Sequence, residues 1–140
     1  MSKKEIVLEL FDEGFNCAAS ILAGFCEDYD LDTEIALKLA CGLGGGFGRG
    51  GICGALSAAV LVVGLKYGQY IPGDLGTKAN CGAKRTQLID MFAERHGSPA
   101  CRDLLAQIPD TSGEDYPKRR HNFCSGLLEG TVDLLEELGY

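Results

Sequence analysis

The chain has 140 residues, 46% of them apolar and 24% charged, and its 20 acidic against 13 basic side chains leave a formal net charge of -7. One hydrophobic core can be filled at that size, so residues 1–140 are expected to form a single domain. The acidic surplus would repel phosphate backbones and anionic lipid, which excludes nucleic acid as an expected partner.

The N-terminal stretch carries two lysines but is interrupted by Glu5, Glu9, Asp12 and Glu13. It lacks the apolar run of a secretory signal, and a cytoplasmic location is expected. Ser2 followed by Glu5 forms the pattern of a capping box, so a first helix should start there and stop near Gly14. Asn16 can cap a second helix with Ile21, Leu22 and Phe25 at core-facing spacing. The acidic run Glu27, Asp28, Tyr29, Asp30 that follows reads as a solvated turn. Asp32 can cap a short third helix with Ile35, Ala36, Leu39 and Ala40 as its apolar face, ended by the glycine run from Gly42.

From Gly54 to Gly68 the sequence is apolar almost all round, which suits a helix surrounded by other helices. Its valines could suit a strand, but no second β-branched run exists to pair with one. The uncharged stretch Gly50 to Leu65 is shorter than the ~18 to 20 residues of a membrane span, so no membrane insertion is expected. Tyr70 to Gly76 reads as a loop. A charged helix then runs through Leu88, Ile89 and Phe92 to His96 and stops at Gly97. Ser98 and Pro99 should start another helix, Pro109 to Pro117 is a polar linker, and a final helix carries Phe123, Leu127, Leu128, Leu134, Leu135 and Leu138. The expected architecture is an all-α, single-domain bundle of about five to seven helices, with a central apolar helix after a glycine-rich loop.

The glycines from Gly42 to Gly51 include the spacing of a dinucleotide-binding turn, but a helix precedes them and no acid follows at the ribose distance. Nor does a Gly-Lys-Ser/Thr close them as a phosphate loop. Gly44, Gly45, Gly46, Gly48 and Gly51 remain as candidate cofactor-binding positions, with backbone N–H groups open to an anion or a negatively charged cluster; a hinge or close-packing turn is the competing reading.

Seven cysteines in a reducing compartment point to metal or redox use over a disulfide framework. Cys17, Cys53 and Cys101 fall near expected helix starts, where the helix dipole and free N–H groups favour the thiolate. Cys124 shares the phase of Leu127, Leu128 and Leu135 and should point inward. Four thiolates converging from four helices would be costly unpaired, which argues for a cation or metal cluster among them. By spacing alone that signal is weak, because no Cys-x-x-Cys pair is present. Cys26 and Cys41 read first as buried hydrophobes, with a Cys41/Cys53 redox pair as an alternative, and Cys81 is unassigned. His96, favoured as imidazolium at a helix C-terminus, and His121 are expected to play surface roles. Ser57 lacks a nucleophile elbow.

The segments FNCAAS (Phe15 to Ser20), GGGFGRGGICGA (Gly44 to Ala55) and CRDLL (Cys101 to Leu105), followed by Cys124, resemble the C_GCAxxG_C_C family of redox-active proteins over nearly the whole chain. The resemblance matches the family's four cysteines to Cys17, Cys53, Cys101 and Cys124. It implies a helical fold and association with oxidoreductase or transporter systems, and a similar module in split-Soret cytochromes is associated with an iron-sulfur cluster. One position departs from the family pattern: Ala58 stands where its last glycine would be, adding a methyl.

These readings lead to one expectation, an iron-sulfur cluster held by Cys17, Cys53, Cys101 and Cys124 as metal ligands. The glycine loop would donate N–H bonds to the sulfides, and the protein would pass electrons to a redox partner protein or oxidoreductase. A metal-free thiol-disulfide oxidoreductase and a structural zinc domain are the alternatives. Covalent c-type haem is excluded, since no Cys-x-x-Cys-His occurs. A homodimer could cover several long apolar helices in so small a bundle.

Overall fold

In a computed structural model describing residues 1–140, the three polar caps legible in the sequence start the first three helices. Ser2 accepts from the Glu5 amide at 3.1 Å while Glu5 accepts from the Ser2 amide, closing the capping box of α1 (Lys3–Asp12). Asn16 caps α2 (Cys17–Phe25), accepting from the Ala19 amide at 2.9 Å. Asp32 caps α3 (Thr33–Ala40), accepting from Ile35 at 3.1 Å. Each such cap satisfies an otherwise orphaned N–H and contributes about 1 kcal/mol.

Four further helices follow: α4 (Gly54–Tyr67), α5 (Leu75–His96), α6 (Cys101–Leu105) and α7 (Tyr116–Glu137). The all-α expectation holds, with α4 standing after the glycine loop. All seven helices contribute to one cluster of 24 buried residues. Helix α2 is its centre and packs against α1, α3, α4 and α7. The two polar groups buried in this core are satisfied locally, Ser20 Oγ donating to the Asn16 carbonyl and Thr131 Oγ1 to that of Leu127. No helix is long and apolar enough to cross a membrane.

The acidic run is the solvated turn expected, a 3-10 turn over Cys26–Tyr29 with Glu27, Asp28 and Asp30 exposed, closed by Asp30 in the left-handed region and tied to α1 by a Lys3–Asp28 ion pair. Other expectations need correction. On α3 only Ala36 and Ala40 are buried, while Ile35 and Leu39 are exposed; the helix meets its neighbours through its alanines and the partly buried Leu37. Helix α4 is not enclosed all round, because Leu61 and Leu65 face outward. The helix after Pro99 is a five-residue piece whose N-cap is Ala100; Ser98 Oγ accepts from the Ala100 amide and donates to Asp103.

The glycine segment is not an open turn. After a 3-10 turn at Cys41–Leu43 it winds through a π-turn over Gly46–Gly50, with positive φ at Gly45, Gly46, Phe47, Gly48 and Gly50. A Cβ at Gly46 would overlap the Gly51 backbone, so close packing as well as left-handed backbone demands glycine there. Immediately afterwards Ile52 and Ala100 form an isolated antiparallel bridge. The Cys53 amide donates to the Pro99 carbonyl at 2.8 Å and the Cys101 amide to the Gly51 carbonyl at 2.6 Å.

Candidate functional site

That bridge sets two cysteines side by side. Cys53 is the N-cap of α4 and Cys101 the first residue of α6. Cys17 opens α2, held by the Asn16 cap, whose amide also donates to the Cys41 carbonyl and so ties α2 to the glycine segment. Cys124 lies two turns into α7, its inward direction fixed by the buried Leu127 and Leu128 that share its face. All four cysteines line one cavity of about 40 Å³, together with Gly45, Gly54, Ala55, Leu104, Leu105, Leu127 and Arg120.

The cavity's electrostatics run against the expected thiolates. Burial pushes the Cys53 thiol up to about 12, an effect the helix-start amides of Leu56 and Ala55 oppose and the neighbouring Cys17 and Cys101 reinforce. Cys124 is pushed up to about 11 by burial first and then by Cys17. Cys101 is raised for the same two reasons, with Arg120 opposing. The helix-start effect is therefore real at Cys53 but smaller than desolvation, and the thiols repel one another's ionisation.

The remaining candidates divide. Among the glycines expected to bind a cofactor, Gly45 lines the cavity and Gly44, Gly46, Gly48 and Gly51 do not. Gly44 packs against Asn16, and the Gly51 amide is committed to the Gly46 carbonyl at 3.0 Å. Gly54, which was not singled out, is essential to the cavity's shape: a Cβ there would overlap Cys17 Sγ. Its place directly after Cys53 was the available signal. Arg120 was also missed, although it precedes Cys124 by one helical turn. Ala58, the departure from the family pattern, is fully buried in the core.

Cys26 is fully buried, its thiol donating to the Ala23 carbonyl at 3.2 Å. Cys41, expected inside, is exposed, because the 3-10 turn after Ala40 carries it off the buried face of α3. Cys81 is half-buried in the wall of a wide groove of about 610 Å³ between α4 and α5. His121 keeps a surface role, stacked on Phe11 at 4.2 Å with Nε2 2.8 Å from Asp12 Oδ1. His96 does not: it packs on Phe92 beneath Gly130, its Nε2 is buried without a partner, and burial, then the Arg95 charge, lowers its pKa.

The donor set can be weighed against the expected groups. Four sulfurs line the cavity, with no carboxylate or imidazole beside them, a soft set that suits Fe–S clusters, zinc or Cu(I). No three His, Cys, Asp or Glu side chains are grouped as they would be around a single metal ion. The four thiols border a space of about 40 Å³ instead of meeting at a point. A family model described as "Putative redox-active protein (C_GCAxxG_C_C)" matches residues 15–138. No curated protein and no solved structure matches the chain significantly.

Proposed function

As this chain belongs to the C_GCAxxG_C_C family, we propose that Cys17, Cys53, Cys101 and Cys124 bind an iron-sulfur cluster and that the protein passes electrons to a partner oxidoreductase. The observation that carries this reading is the shared cavity: four cysteines from four helices line about 40 Å³ of largely apolar space. A bound cluster would supply one-electron chemistry at a potential tuned by its surroundings.

The chain's own residues do the rest. Cys53 and Cys101 are held in register by the backbone bridge, and Gly54 leaves room for the Cys17 sulfur. Leu104 and Leu127 line the inner side of the cavity with apolar surface, which strengthens charge interactions there. Burial disfavours the free thiolate at Cys53 and Cys124, and a bound cation would offset that cost by compensating the charge.

Anaerobic purification, followed by a visible spectrum with iron, acid-labile sulfide and zinc analysis of one sample, tests the proposal. Broad absorbance bleached by dithionite with matched iron and sulfide is expected. A colourless protein with zinc, or one with neither metal but a reversible dithiol couple, would overturn it.

A further inference from the structure

Beside the cysteine cavity lies an outer cleft of about 230 Å³, which shares Cys17, Gly45, Arg120 and Cys124 with it. Arg120 thus stands at the boundary between buried sulfur and solvent. Its neighbours on α7 have carboxylate partners: Arg119 pairs with Asp115 and His121 with Asp12. Arg120 has none within ion-pair distance, in a chain with seven more acids than bases, and faces two thiols instead.

We infer that Arg120 is a positioning residue that sets the reduction potential of the cysteine centre from the mouth of its cavity. The inference rests on the iron-sulfur reading above. One turn ahead of Cys124, Arg120 lines the cavity beside Cys124 and Cys101, and a cation there favours negative charge on the centre. Reduction adds one electron to a site already surrounded by thiolates. A cation beside it favours the reduced form, so removing that cation lowers the potential. The electron comes from an external one-electron donor, and no bond in the protein is made or broken. Arginine suits the position because its charge persists at every working pH.

The experiment is an anaerobic dithionite titration, with mediator dyes, of protein reconstituted with iron and sulfide, comparing wild type, Arg120→Gln, Arg120→Lys and Arg119→Gln. For Arg120→Gln the one-electron reduction equilibrium should fall about tenfold, ~59 mV, with Arg120→Lys in between. Arg119→Gln should stay near wild type, because its charge is already paired with Asp115. An unchanged potential in a fully loaded Arg120→Gln, or equal shifts in Arg119→Gln and Arg120→Gln, would overturn the inference while leaving the ligand assignment standing. If Arg120→Gln fails to load, Arg120→Lys decides instead: a potential a full tenfold below wild type in a variant that keeps the charge would overturn it as well. Failure of wild type to take up iron and sulfide would instead remove the ligand reading itself, and this inference with it.

Discussion

The two ends of α4 open onto very different cavities. At its N-terminus Cys53, Gly54 and Ala55 help enclose about 40 Å³ lined by four thiols; toward its C-terminus Val60, Val63 and Gly64 form one wall of an open groove of about 610 Å³ that holds a single cysteine, Cys81. The groove is much the larger, yet it gathers no set of like donors, only a lone thiol with Lys78 and Arg85 on its rim. Chemistry follows the convergence of side chains at the small cavity. Volume marks only where two helices splay.

The contrast can be broken most sharply by cysteine substitution. Cys53→Ser or Cys124→Ser is expected to abolish stoichiometric iron and sulfide uptake, whereas Cys81→Ser keeps it; metal analysis after reconstitution decides between them. Equal loss in all three would erase the distinction between the two ends.

Glycine substitution on α4 gives the next largest effect. Gly54→Ala forces the Cys17 sulfur from its place, and iron uptake should drop several-fold. Gly64→Ala on the groove side meets nothing within 4 Å and should raise thermal stability by about 0.5–1 kcal/mol through helix propensity. Thermal melts and iron titrations of the pair give both numbers.

A pH series on the metal-free protein sharpens the electrostatic side. Cys53 and Cys124 have an ordinary value of 9.0 and ionise in the fold near about 12 and about 11. The folded state therefore holds protons that the unfolded chain releases. Stability should be full below pH 9 and lost as pH rises from 9 toward 12. The melting temperature is expected to decline over that range in wild type and to decline less in Cys53→Ala.

The smallest effect lies away from both cavities. His96 is lowered from its ordinary 6.5 by burial, so the unfolded chain takes up a proton first as pH falls. Stability is full above pH 6.5 and diminishes below it. A His96→Gln variant should show a flatter melting temperature between pH 7 and 5.

Much of this was written in local sequence. Ser2, Asn16 and Asp32 announce their helices because a cap is a contact between near neighbours, and Leu127 and Leu128 fix the direction of Cys124 by helical phase. What was not legible depends on rotation and neighbours distant in the chain. The exposure of Ile35 and Leu39 follows from how α3 lies on α2, which periodicity cannot specify. Cys41 leaves the core through one turn of tighter winding. The raised thiols reflect desolvation by α6 and α7, far from the helix starts that suggested the opposite sign. Arg120 belongs to the site only because α7 returns beside α2.

The backbone bridge between Ile52 and Ala100 has a consequence for tolerance to change. By pinning its two ends together, it turns α4 and α5 into an excursion that leaves and re-enters the site at one place. Lengthening or shortening the Gly68 to Asp74 turn at the far end adds little closure entropy and shifts neither Cys53 nor Cys101. That turn is where insertions, fused tags or a grafted recognition loop should be accommodated without disturbing the thiols.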